Sequence, residues 1–234
     1  MGQKINPIGF RVGITEGWNS RWFAPKKLFG ELLIEDYKIR DFVDKRLNRK
    51  PPYAAVAKVE IERTREELKV LLHTARPGVV IGPKGAEVDK LRNELEDLTG
   101  RKVKVEIAEI GQPDLNAKLV AEGIAEQLKK RASFRRVLKQ KADATRNAGA
   151  KGIKIQISGR VGGAEIARVE KMINGSIPLH TIQANINYGQ VHCATAYGII
   201  GIKVWIYLGT YAETDAKAAA IAAGGNAVRR PRRR

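Results

Sequence analysis

Two glycines three residues apart, Gly82 and Gly85 in VVIGPKGAEVDKL (residues 79–91), separate an apolar run from a segment with helical spacing. A loop of this kind serves one of two chemistries: it holds a nucleotide's phosphates for a reaction, or it holds a polynucleotide backbone with no reaction. The first needs G-x-x-x-x-G-K-[ST], whose amides wrap the phosphates while the hydroxyl holds magnesium. Counted from Gly78, the second glycine is replaced by Pro83, and Lys84 is followed by Gly85, which has no hydroxyl. The dinucleotide fingerprint G-x-G-x-x-G fails too, since no glycines stand at that spacing after a strand. What remains is a two-residue tip, Pro83-Lys84, whose flanking glycines let the backbone approach a sugar-phosphate chain. Lys84 adds positive charge, and the following helix presents free amides at its start.

A second cluster, KKRASFRRVLKQK (residues 129–141), holds seven cations and no acid. At about 100° per residue, Val120, Ile124, Leu128 and Leu138 form one stripe, and Arg131 and Arg135 fall on its line. Cations on a line that should be buried need a reason. Arg131, Arg135 and Lys139 stand four residues apart with Arg136 beside them, so one face can touch several phosphates along a strand. Such contacts track a backbone without reading its sequence. The plainer alternative is a solvated helix whose arginines snorkel. In SGRVGGAE (residues 158–165) a tight glycine turn would present Arg160 to a phosphate backbone, with Arg168 one helical face further on; a simple strand-to-helix connection is the other reading.

Catalytic and metal chemistries find little support. His73, His180, His192 and the single Cys193 do not make a zinc set, and a lone cysteine among apolar neighbours reads as core. A nuclease or lyase needs clustered carboxylates or an activated lysine in a pocket. The acids here lie on strand and helix faces beside basic residues, so no enzyme activity, metal or cofactor is expected.

The composition says what these cations are for. In 234 residues, 43 Lys and Arg against 25 Asp and Glu leave a net charge of +18, which attracts a polyanion; 43% hydrophobic residues suffice for one or two folded domains. No apolar run of about 18 residues spans a membrane. A signal-peptide core is missing, and Asn6 stands where a myristoylation signal wants Ser or Thr. A cytoplasmic location and a nucleic-acid partner, with no membrane, are the expectation.

The elements that must position these residues follow from periodicity. Residues 1–27 are glycine-rich, basic and aromatic without a sustained period, and read as an arm shaped by a partner, with Lys4 and Arg11 as its RNA-binding candidates. Residues 28–47 keep helical spacing until Pro51 and Pro52. Two strands follow at 54–63 and 67–76, then a short helical turn, the glycine loop, a helix over 86–98 and a strand over 101–110. Gly111 to Asp114 marks a boundary. One long helix is expected over 115–146, packed on an antiparallel sheet whose strands include 152–158, 181–188 and 201–209. The expected domains are thus 1–27, 28–110, 111–210 and a tail, 211–234, rich in alanine and then arginine.

A GxxG tip set in the order helix, strand, strand, helix, helix, strand looks like a type II KH domain, in which such a loop clamps about four nucleotides. The fold class is therefore α+β, a KH domain followed by a second α+β domain. Longer strings carry a fuller resemblance. GQKINPIGFRVGI, HTARPGVVIGPKG, ISGRVGGAEIARVE, IPLHT and YGIIGIKVWIY, in that order, resemble the bacterial S3 (uS3) family of small-subunit ribosomal proteins over nearly residues 1–208. That resemblance implies a structural protein of the small-subunit head that binds 16S rRNA. Ribosomal proteins S10 and S14 are implied as neighbours there, with S4 and S5 where mRNA enters. It also implies that the basic helix faces incoming mRNA and helps unwind it, a role that falls on Arg135, Arg136 and Lys139 with Arg131 adjacent. Pro83 departs from a clamp with two free donors and puts the loop's RNA contact in question. A KH-type RNA-binding regulator outside the ribosome is the alternative function.

Overall fold

The structure is a computed structural model that describes residues 4–49, 52–64 and 67–214, with Lys84 described by its backbone alone. Of the expected tail, residues 215–234 lie outside this range. The first half runs α1 (Pro7–Arg11), β1 (Ser20–Arg21), α2 (Lys26–Val43), β2 (Val56–Arg63), β3 (Glu67–Thr74), α3 (Pro77–Ile81), α4 (Ala86–Thr99) and β4 (Lys102–Glu109). The second runs α5 (Ala117–Lys129), α6 (Phe134–Asn147), β5 (Gly152–Gly159), β6 (Arg168–Gly175), β7 (Ala184–Thr195) and β8 (Gly198–Thr210). Two compact units result, Gly17–Pro113 and Met1–Glu16 with Asp114–Arg234.

The unit Gly17–Pro113 has the KH order α-β-β-α-α-β from α2 to β4. Its sheet runs β1-β2-β3-β4, with β2 and β3 antiparallel and β4 parallel to β3. Strand alternation puts Leu68, Val70 and Leu72 of β3 into the core, where they meet Ile39 and Val43 of α2 and Leu91 and Leu95 of α4. One turn of wider helix, Asp44–Asn48, extends α2 and buries Leu47. Asp36 of α2 accepts hydrogen bonds from Ser20 Oγ and Trp22 Nε1 at 2.8 Å each and from Arg63 Nε at 2.9 Å. That buried carboxylate ties β1 and β2 to the helix.

In the other unit, α5 and α6 cover one face of an antiparallel sheet ordered β6-β5-β8-β7. Ile153, Ile155 and Ile157 of β5 and Ile202, Val204 and Ile206 of β8 alternate into the core against Val120, Ile124, Val137 and Leu138. Gly189 lets the start of α5 lie directly on β7, because a Cβ there would stand 2.5 Å from the carbonyl carbon of Ala117.

Three expectations change. The arm over 1–27 is not one segment: residues 4–16 belong with the second sheet, whereas Ser20 and Arg21 pair in parallel with Ile61 and Glu62 of β2. The long helix over 115–146 is two helices. Arg131 turns left-handed at φ 59°, and Ser133 caps α6 in an extended conformation. A continuous helix would carry Arg131 and Arg135 into the apolar stripe. Burying an unpaired cation costs several kcal/mol, against about 1–3 for one residue in a left-handed conformation, so the break is the cheaper solution. After it, Val137, Leu138, Ala142 and Thr145 face inward and the cations face solvent. Finally, Arg168 opens strand β6 and does not lie on a helix, since after the turn and bend over 161–167 the chain runs extended against β5.

Arg11 shows what holds residues 4–16 in place. Its wholly buried guanidinium donates to the carbonyls of Ala184 (2.9 Å), Thr181 (2.8 Å), Leu179 (3.3 Å) and Pro7 (3.0 Å). No face of it is left for a phosphate, which removes it from the RNA-binding candidates. Arg11→Ala is expected to destabilise the fold by at least about 3 kcal/mol, because four carbonyls lose a charged donor. Urea denaturation measures this; unchanged stability with weakened RNA binding would return Arg11 to the surface role.

Candidate nucleic-acid interface

The glycine loop is built as its residue types require. Gly82 sits at φ 67° and Gly85 at φ 83°, with a single tight turn, Pro83–Gly85, between them. A Cβ at Gly82 would come within 2.6 Å of the Glu87 side chain, so the position is closed to other residues on both conformational and steric grounds. Gly85 faces open space and caps α4 without a side-chain hydrogen bond, while the first amide of that helix, Ala86 N–H, is taken by the Pro83 carbonyl. Two features oppose a phosphate there. Pro83 has no N–H, and Glu87 places a carboxylate beside the tip. Lys90, bonded to Glu87 at 2.8 Å, and then Arg46 hold that carboxyl below the ordinary carboxylate range, so it is charged at neutral pH. The position of the Lys84 side chain lies outside the description.

The basic cluster is arranged differently. Arg131, Arg135, Arg136 and Lys139 are all exposed at the break and along the first turns of α6. Among the described residues none of the four forms an ion pair, although nearby lysines do: Lys130 with Glu126 at 2.7 Å and Lys141 with Asp114 at 3.9 Å. Arg135 and Arg136 occupy the first turn of a helix that has no acid there and no side-chain cap. Positive side chains at the positive end of the helix dipole cost about 0.3–1 kcal/mol each. The same placement joins two arginines to free amides, and together they make a site for an anion.

Phe134 extends this cluster, and nothing in its local sequence marks it. The guanidinium carbons of Arg135 and Arg168 lie 5.7 and 5.8 Å from the centre of its ring, so the first residue of β6 joins the start of α6. Arg168 also pairs with Glu170 at 2.9 Å, which holds the guanidinium in place and offsets its charge. Arg160 is turned toward its own loop: Nε donates to the Ala164 carbonyl at 2.9 Å, one terminal nitrogen reaches the Tyr197 carbonyl at 3.4 Å, and the Tyr197 ring lies beneath. Its first task is to fasten the turn after β5. Lys4 is exposed on a different face of the same unit, close enough to Lys154 to depress the ionisation of that lysine.

The predicted residues thus separate into places. Arg131, Arg135, Arg136, Lys139 and Arg168 gather around the start of α6, and the turn that carries Arg160 adjoins them through Gly159, opposite Arg168, and Gly162, beside Phe134; Gly82, Lys84 and Gly85 form the loop of the other unit; Arg11 and Lys4 lie elsewhere in the second unit. Among the described residues no group of three His, Cys, Asp or Glu side chains could hold a metal ion.

Comparison with known proteins gives two matching stretches. A family profile described as "KH domain" matches residues 38–115, and one described as "Ribosomal protein S3, C-terminal domain" matches residues 124–206. A small ribosomal subunit protein uS3 from Rhodopirellula baltica is 52% identical across all of this chain and 98% of its own length. Proteins of the same name from Bacillus thuringiensis and Shouchella clausii are 53% and 52% identical over 93% and 92% of this chain, covering 97% and 96% of their own lengths.

Replacing Arg135 and Arg136 together by Gln is expected to raise the stability of the free protein by about 0.6–2 kcal/mol, by removing two cations from a helix N-terminus. Its affinity for RNA is expected to fall. Urea denaturation and RNA titration on the same preparation check this; lower stability would mean that the arginines serve the fold.

Proposed function

The chain belongs to the family of small ribosomal subunit protein uS3, and from that premise we propose that the cluster at the start of α6 binds RNA phosphates where messenger RNA enters the subunit. The membership itself makes the chain a structural, non-enzymatic constituent of the small subunit and a cytoplasmic protein within the ribosome. The observation that carries the proposal is charge without compensation. Arg131, Arg135, Arg136 and Lys139 face solvent with no carboxylate partner among the described residues, and two of them stand where they weaken their own helix.

What the cluster does follows from phosphate chemistry. Cations about one helical turn apart can hold consecutive phosphates of a strand, and they do so whatever the bases are. Held against such a surface, separated strands are slower to re-pair, and no bond needs to be hydrolysed by this protein. The energy for separation comes from movement of the message through the ribosome.

Contact with 16S rRNA is assigned to exposed cations outside that cluster, Lys4 among them, with the free edge of Arg160 in a lesser part and Arg168, beside Phe134 at the cluster's edge, able to serve either strand. The glycine loop has the backbone for a clamp, but Pro83 and Glu87 weaken it, and we give it an auxiliary role through Gly82, Gly85 and Lys84. Neighbours in this reading are S10 and S14 in the head and S4 and S5 around the incoming message. A free KH-type regulator is disfavoured by relatives that match over the whole chain and carry a ribosomal name.

Replacing Arg135, Arg136 and Lys139 together by Ala is expected to leave incorporation into subunits intact. Translation through a stable hairpin should slow several-fold relative to an unstructured message. Equal slowing of both messages, or of neither, would remove the unwinding role.

A further inference from the structure

The sheet face turned away from α5 and α6 carries a patch that the cation clusters of the sequence do not reveal. Register defines it. Lys154 of β5 stands opposite Trp205 of β8, and Trp205 stands opposite Tyr188 of β7; two residues along, Gln156 pairs with Lys203, and Lys203 with Gln190. On the other flank Lys171 of β6 stands opposite Gln156. These residues alternate with the isoleucines of the core, so they share the opposite face.

Geometry ties the patch together. The Lys154 ammonium lies 4.9 Å from the centre of the Trp205 ring, and the Trp205 and Tyr188 rings are 5.4 Å apart at 45°. Partial burial, then Lys171, then Lys4 push the pKa of Lys154 down, which places three lysines near one another. Lys4, Lys154, Lys171 and Lys203 have no carboxylate partner among the described residues.

The first sheet supplies an internal control. There Lys69 pairs with Glu106 at 2.8 Å, Lys104 with Glu106 at 3.1 Å and Lys58 with Glu60 at 2.6 Å, the alternation of sign expected of a solvated sheet face. In the second unit, Lys118, Lys130 and Lys141, away from the patch, find acids in Glu122, Glu126 and Asp114. Like charges gathered beside two aromatic rings, with no acid among them, raise the energy of the free protein and are relieved by a bound polyanion.

We propose that this face is a second RNA-binding surface, which takes a single-stranded segment with its phosphates on Lys4, Lys154, Lys171 and Lys203 and a base against Trp205 and Tyr188. It rests on the reading of the chain as an RNA-binding constituent of the subunit only for the nature of the polyanion. Aromatic rings on a basic sheet are a general means of holding unpaired bases. A phosphate that draws the Lys154 ammonium aside bares the ring face beneath it. Val169 and Ile173, exposed at the β6 edge of the same face, would also suit an acidic protein, and the experiment separates the two.

The test uses the full chain and a fluorescein-labelled single-stranded oligouridylate, titrated over a range of salt. A variant with Lys154, Lys171 and Lys203 replaced by Gln is expected to bind about tenfold more weakly, with the salt slope reduced by about two. Trp205→Phe should retain most of the affinity and Trp205→Leu should lose several-fold at an unchanged slope; thermal melts confirm that each variant is folded. Ultraviolet irradiation of the wild-type complex should join the RNA to Trp205 or Tyr188. Unchanged affinity and slope in the lysine variant would overturn the proposal. So would polyglutamate that displaces the RNA at equal charge with no cross-link on this face, which would mark a surface for an acidic protein. Loss of binding in the Arg135, Arg136 and Lys139 variant but not in the lysine variant would overturn this site and leave the α6 reading standing. The reverse pattern would support this site alone.

Discussion

Positive charge that the fold does not neutralise is the constraint around which the second unit is built. Several cations elsewhere among the described residues find acids or carbonyls: Arg63 lies against Glu35 and Asp36, Lys69 meets Glu106, and Arg11 takes four backbone oxygens. At the start of α6, and on the outer face of the second sheet, they find none among the described residues. The chain breaks a helix at Arg131 to keep these cations in water, at a cost smaller than that of burying even one of them. A sequence optimised for the stability of the free protein would place acids at both sites. Their absence among the described residues is what motivates the proposal that RNA supplies the compensating charge.

The two units meet this constraint in different ways. In the KH unit the GxxG tip has its glycines in the required left-handed conformations, yet Glu87 and Pro83 turn its chemistry away from phosphate. In the second unit one run supplies the cations at the start of α6, and strand start and sheet face bring others from separate parts of the chain. Phe134, placed between Arg135 and Arg168, is the clearest instance of packing that gives a surface cluster its shape.

Much of the fold was legible because local and global preferences agree. The KH order follows from periods of 2 and 3.6 punctuated by Pro77, Gly82, Gly85 and Gly100, and the core strands of the second sheet alternate isoleucine with polar residues. The helix break was not legible from periodicity, since the apolar stripe can be drawn straight through it; Ser133 ahead of Phe134 was the available sign, as an N-cap residue before a helix. Strand β6 was hidden because both its faces are largely open, so its burial alternates weakly. Burial of Arg11 depends on carbonyls near residue 180, brought to it only by folding. The basic face of the sheet needs the register of four strands before its lysines become neighbours. Arg131, Arg135, Arg136 and Lys139, by contrast, were visible as a run, because a helix keeps sequence neighbours together.

The most direct test of this account is the melting temperature of the full chain at low ionic strength, alone, at raised salt, and with one equivalent of a small-subunit rRNA fragment. If uncompensated cations strain the free protein, screening between about 0.05 and about 0.5 M monovalent salt should raise the melting temperature by a few degrees. The rRNA fragment at low salt should raise it further, by linkage to binding. A melting temperature that falls with salt and does not respond to the RNA would mean that the charge is already balanced within the fold, and would contradict the account.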